Sequence, residues 1–323
     1  MKLDELGEFG LIERLARGGA AAPEHVVVGI GDDCAVTRCR GEALRLTSTD
    51  MLVEGVHFTR EATTPRQLGA KALAVNLSDI AAMGGHPREV YVALAIPPAW
   101  DVEDVEQLYG GLRALAQRHD VALLGGDTTR AAGAMVISIT VVGDAPADQL
   151  LYRHGGRPGD RLFVSGTLGD AAAGLHALLH GRGARAQGLV QRQLEPLPRL
   201  ELGRRVAASG LATAMIDLSD GLAGDLGHVC DRSGVGCEVR CDALPRSAEL
   251  TRYCARFGLD PLELALTGGE DYELLVAGDA ALAELGLVQV GQLTGDEARQ
   301  IVLPGGTRRP LQTGGWDHFR RSL

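Results

Sequence analysis

TPRQLGAKALAVNLSDIAAMGG, residues 64–85, is the stretch on which the fold turns. Thr64 then Pro65 supply an N-cap and a first-turn proline, and Gly84-Gly85 ends the run, so a helix is predicted over about 65–83. Its body is almost wholly apolar, which suits a helix covering a sheet. Strand signals flank it: VVVGI (26–30) and ALRLTST (43–49) before, YVALAI (91–96), VALLG (121–125) and MVISITVVG (135–143) after, with a second helix near 101–119. A sheet with covering helices follows.

Polarity and turn residues rise together in GDAPADQLLYRHGGRPGDR (143–161), and 323 residues exceed one ordinary core. The chain is therefore read as two domains of α/β (α+β) class, 1–148 and 149–323. The second reads as strand 161–165, helix 168–180, an arginine-rich surface loop GRGARAQGLVQRQ (181–193), helix 198–208, strand 214–217, helix 220–233, and strands near 236–241, 272–277 and 287–293.

A net charge of −10 repels phosphate backbones, and aromatics at 4% leave little stacking surface, so a nucleic-acid partner is disfavoured. Any nucleotide must arrive with its charge compensated. No apolar run reaches the ~20 residues of a membrane span. The acidic N-terminus lacks a signal-peptide core and the six cysteines form no CxxC pair, which points to reduced thiols and a cytoplasmic home. Cys237 and Cys241 share one strand face and suit core packing better than zinc.

Five short runs place carboxylates beside glycine, serine or threonine: GIGDDC (29–34), TSTDMLVEGVHF (47–58), NLSDIAAMGG (76–85), LLGGDTTR (123–130) and IDLSDG (216–221). Hard oxygen donors with small neighbours are what Mg²⁺ accepts. Asp79, near the end of the apolar helix, is the sharpest case, because an unpaired buried carboxylate is expensive. Pairing with Lys71 or Arg88 is the alternative. In GIGDDC a pleat would aim one of Asp32 and Asp33 inward and one away, without choosing between them. Ser48, Thr49 and Asp50 read as a strand end, where hydroxyl and carboxylate either bind cation or cap. Asp127 follows Gly125-Gly126, which allow close backbone approach to phosphate or a plain tight turn. Asp217, Ser219 and Asp220 fall at a strand-to-helix junction, with Ser219 as N-cap the simpler reading. The recurrence of such runs in one acidic chain points to a multi-metal polyphosphate site. GxxxxGK[ST], kinase HRD or DFG sets and a complete GxGxxG are absent.

In this order GIGDDC, STDMLVEGVHF, KALAVNLSDIAAMG, LLGGDTTR, IDLSDGL and LTGGEDYEL resemble the thiamine-monophosphate kinase family, from GEFGLIERL (7–15) to WDHF (316–319). That family is similar to aminoimidazole ribonucleotide synthetase, selenophosphate synthetase and HypE. The resemblance implies an N-terminal sheet closing a barrel across a homodimer, a C-terminal α/β sandwich, and ATP at the domain seam with several Mg²⁺ ions. It implies Asp33, Ser48, Thr49, Asp50, Asp79, Asp127, Asp217 and Asp220 as metal ligands. It also implies Tyr109, Gly126, Asp127, Arg153 and Ser219 as ATP contacts, and His57, Glu270 and Trp316 as contacts to thiamine monophosphate. On residue type alone His57 is a strand histidine, Glu270 a turn carboxylate and Trp316 a packing anchor. The implied reaction is direct, metal-assisted transfer of the ATP γ-phosphate to thiamine monophosphate, giving thiamine diphosphate and ADP. Another ATP-dependent member of that wider group, or a non-catalytic nucleotide sensor, is the alternative.

Overall fold

The computed structural model describes residues 3–16, 23–39 and 43–311. Two short helices, α1 (Leu3–Leu6) and α2 (Glu8–Ala16), precede six strands: β1 (Val26–Val28), β2 (Ala35–Arg38), β3 (Ala43–Val53), β4 (His86–Ile96), β5 (Ala122–Arg130) and β6 (Val136–Pro146). They form one sheet in the order β1-β2-β3-β6-β4-β5. Only β4 and β5 run parallel, because the helix α4 (Val102–Arg118) carries the chain between them. The decisive helix is α3 (Pro65–Ala82), opened by a Thr64–Gln67 capping box.

The helices of this half pack backbone to backbone. A Cβ on Gly69 would stand 1.9 Å from Leu108 O, and one on Gly111 1.9 Å from Arg66 O. Glycine at both positions lets α3 and α4 approach closely, and 13 of the 18 residues of α3 are buried, so this helix is a core element on nearly every side.

The second sheet runs β13-β12-β9-β11-β7-β10-β8. Its strands are β7 (Arg161–Val164), β8 (Ala212–Asp217), β9 (Gly236–Arg240), β10 (Leu274–Gly278), β11 (Val288–Thr294), β12 (Arg299–Val302) and β13 (Arg308–Pro310), antiparallel except for the β9–β12 pair. Helices α5 (Asp170–Leu179), α6 (Gln187–Leu194), α7 (Leu200–Ser209), α8 (Leu222–Ser233), α9 (Ala248–Phe257) and α10 (Pro261–Thr267) cover it. Alternation splits this sheet between two cores. Leu162, Val164, Ile216 and Leu275 face α8 and α10, whereas Phe163, Met215, Leu274 and Val276 join the core of the first half together with Val206 and Ala207 of α7. The two halves are thus welded by one apolar cluster.

Two expectations change. The stretch 181–193 is not a surface loop: after a turn at Gly183–Arg185 it enters α6, where Leu189 and Gln193, four residues apart on one face, are buried. β3 does not stop at 49 but continues to Val53, so Ser48, Thr49 and Asp50 are mid-strand. Their alternation sends Ser48 toward α3 and leaves Thr49 exposed.

Replacing Gly111 with Ala is expected to lower the unfolding free energy by about 2 kcal/mol, since the added methyl meets backbone that cannot move aside. Urea denaturation with an unchanged midpoint would reject the close helix contact.

Candidate active site

The centre is built where three segments meet. Asp79 comes from the last turn of α3, Asp217 from the end of β8, and Asp33 from the bend between β1 and β2. Carboxylate oxygens of all three lie within 4.8 Å of one another. Polar residues that interrupt the apolar helix fix them. Ser78 Oγ donates to Asp217 Oδ2 at 2.6 Å, tying α3 to β8, and Ser48 Oγ donates to Asp79 Oδ2. Asn76 Oδ1 accepts the Asp50 N–H at 3.1 Å and its amide donates to Ala72 O, so the helix also holds β3 in register. Asn76 and Ser78 escaped the sequence reading, although two polar residues inside an apolar helix are a visible signal.

The cations that could have neutralised Asp79 are engaged elsewhere. Lys71 Nζ pairs with Glu270 Oε1 at 2.7 Å, and Arg88 forks onto Asp144. Burial, then repulsion from Asp50, Asp217 and Asp33, therefore pushes the Asp79 carboxyl well above its usual range. Burial and then Asp33 push Asp217 up to about 8, against the Ser78 hydrogen bond. Burial and then Asp33 also raise Asp50 and Asp32 to about 6. Asp33 Oδ2 is buried with no hydrogen-bond partner. Charges confined in this way call for a shared counter-cation, and hard oxygen donors fit Mg²⁺.

Asp32 and Asp33 do not alternate across a pleat, because Asp32 makes only an isolated bridge to Ile30 and Asp33 and Cys34 form a bend. Both engage Arg153: its backbone N–H donates to Asp32, and its Nη2 donates to Asp33 Oδ1 at 2.7 Å. Arg153 is thereby fixed at the junction of the halves, with Nε buried and unpartnered. At the IDLSDG run, Ser219 does not cap a helix. Gly221 is the N-cap of α8, with no side-chain cap, and Asp225 accepts the Asp220 and Gly221 N–H groups from within the helix. Asp220 lies close enough to raise Asp225.

Other expected residues stand apart from this cluster. Thr49 Oγ1 meets Thr140 Oγ1 at 2.9 Å on the outer side of the sheet. Asp127 is exposed on the edge strand β5, paired with the outward-facing Ala93. The close approach at Gly126, φ 150°, is to β4, where a Cβ would stand 1.7 Å from Val92 O. Tyr109 packs against the N-terminal core, with Arg113 over its ring. His57 Nδ1 accepts the Val53 N–H at 3.0 Å, which leaves Nε2 as the protonated nitrogen of the neutral ring. Glu270 lies in the irregular segment between α10 and β10, its N–H bonded to Ser219 O. Trp316 lies outside the described residues.

The chain is similar to known proteins over almost its whole length. Residues 31–145 match the AIR synthase related protein N-terminal domain, and 157–303 the corresponding C-terminal domain. The thiamine-monophosphate kinase of Salmonella typhimurium is 40% identical over 97% of this chain and 98% of its own. That of Aquifex aeolicus is 37% identical over 99% of this chain and 100% of its own. A solved structure of AaThiL complexed with AMPPCP and TMP superposes with a TM-score of 0.88 at 35% identity, covering 98% of this chain and 99% of that one. HypE in complex with ATP, at 21% identity and a TM-score of 0.68 over 87% of each chain, shares the fold. With its carboxylate runs in order, both domain types matched and relatives aligned from end to end, the chain belongs to the thiamine-monophosphate kinase family.

Proposed function

We infer that the protein phosphorylates thiamine monophosphate with ATP, giving thiamine diphosphate and ADP. The observation that carries this reading is the convergence of the buried Asp33 and Asp217 with the half-buried Asp79, from both halves of the chain. Asp33, Asp79 and Asp217 would hold Mg²⁺, with Asp50 and Asp220 nearby; Ser48, Thr49 and Asp127 extend the ligand set on the strength of the family resemblance. Bound there, Mg²⁺ ions cancel charge between two polyanions, which otherwise repel by ~4 kcal/mol for each unit pair ~4 Å apart at an effective dielectric of ~20.

The residues themselves orient and shield. Ser48 and Ser78 each hold one carboxylate oxygen, of Asp79 and of Asp217, which leaves the other without a serine donor and available to a cation. Arg153 brings a guanidinium to the same place from the junction and suits a nucleotide phosphate. A substrate phosphate has a second pKa near ~6, so it attacks as an oxyanion and no side chain has to remove a proton. Transfer is direct, without a phosphorylated side chain. On the strength of the family resemblance, His57, Glu270 and Trp316 are assigned to the acceptor, and Tyr109, Gly126 and Ser219 to the nucleotide. The edge strand β5 and the exposed Met51, Tyr91 and Leu124 support a homodimer that closes the first sheet into a barrel. Six free thiols suit the cytoplasm, and no helix among the described residues is long and apolar enough to cross a membrane.

Asp79→Asn and Asp217→Asn are each expected to lower ADP release with thiamine monophosphate by about a hundredfold while the chain stays folded. Near-normal turnover at saturating Mg²⁺ would remove these carboxylates from the site.

The raised carboxyls also set a pH dependence. Unfolded aspartates titrate near ~3.9, so up to about 8 the folded, metal-free protein holds protons that the unfolded chain has released. Its stability therefore falls as pH rises through that window. Thermal unfolding of metal-free protein should give a lower midpoint at pH ~8 than at pH ~6, with Mg²⁺ raising it more at the higher pH. A Mg²⁺ effect equal at both values would contradict the assignment.

A further inference from the structure

One carboxylate outside the metal cluster is held with unusual care. Lys71 of α3 lies 2.7 Å from Glu270 Oε1, and Gln193 of α6 donates through Nε2 to Glu270 Oε2. Lys71 and Gln193 are each only 3% exposed, yet the Glu270 side chain keeps 24% of its surface open. Glu270 adopts φ 66°, a region strained for a residue with a side chain. Three elements hold it there, since its own N–H donates to Ser219 O at 2.7 Å. Gln193 Oε1 is buried without a partner, so the orientation of this amide is set by the carboxylate and not by its own needs.

The arrangement is linked to the reaction centre by α3, which carries both Lys71 and Asp79. Eight residues of α3 separate Lys71 from Asp79, about 12 Å along the helix. The buried Tyr272 hydroxyl, raised by burial first and then by Glu270, Asp50, Asp217 and Asp220, is within electrostatic reach of both groups. That separation suits a phosphate at the aspartates with its heterocycle extended toward Glu270.

Lys71 cancels the charge of Glu270, so the pair offers lone pairs and not a net anion. Such a group selects an N–H donor over a bare cation. In thiamine, N–H bonds are confined to the exocyclic amine of the pyrimidine. We propose that Lys71 and Gln193 are positioning residues that preset Glu270 to accept a hydrogen bond from this amine, so that the three side chains together select the heterocycle of the acceptor. The inference rests on the kinase reading above and adds to it how the acceptor is recognised.

Steady-state kinetics of the full chain with thiamine monophosphate and with oxythiamine monophosphate, which carries an oxo group in place of the amine, tests the proposal. The wild type should favour the amine by about tenfold or more in kcat/KM. Gln193→Leu and Lys71→Met should raise the KM for thiamine monophosphate about tenfold, leave that for ATP within about twofold, and shrink the preference to about threefold or less. Lys71→Arg should recover part of the preference. Gln193→Leu carries the test alone should Lys71→Met not fold. An undiminished preference in Gln193→Leu, or a parallel rise in both KM values, overturns the positioning role. A wild type that turns over neither acceptor overturns the kinase reading itself.

Discussion

Mutual repulsion among buried aspartates is the constraint around which this molecule is arranged. Three carboxylates from separate segments converge within 4.8 Å of one another, and Lys71 and Arg88, the cations that could have answered Asp79, point elsewhere. A fold tolerates this only if the surrounding packing is strong enough to hold the charges together. Here that packing is α3, which has a strand on either side of the site bonded to its polar residues and a second helix pressed against its glycines.

The same helix links the carboxylate cluster to the site proposed for the acceptor's heterocycle. On the proposed reading its C-terminal turn would present Asp79 to the phosphates, while its middle holds Lys71 against Glu270. On that reading, position along a single helix would set the distance between chemistry and recognition.

How much of this could be read from the chain depended on range. Thr64-Pro65, the apolar body and Gly84-Gly85 are local signals, and they located α3 to within a residue or two. Asp33, Asp79 and Asp217 were legible as carboxylates in small-residue contexts, and the recurrence of such runs anticipated a shared site, but which of them meet is a tertiary fact. The strand end expected at Thr49 failed because hydroxyls suit a cap and an exposed strand face equally well. α6 was missed because arginine, glycine and glutamine mask an apolar stripe of few residues. α9 and α10 were missed despite Ser247 and Asp260-Pro261, both usable start signals. Asp127 and Thr49 show the limit from the other side: matching a family position does not by itself bring a side chain to the buried cluster of one chain.

The apolar cluster that runs from beneath β3 through α7 to Phe163 and Val276 bears on inheritance. Although the halves match two separable sequence families, neither could be exchanged for a foreign counterpart without leaving an oily, unmatched face on both. Recombination within the gene should therefore have been tolerated far less at the junction than the modular look of the sequence suggests, and the halves must drift in step.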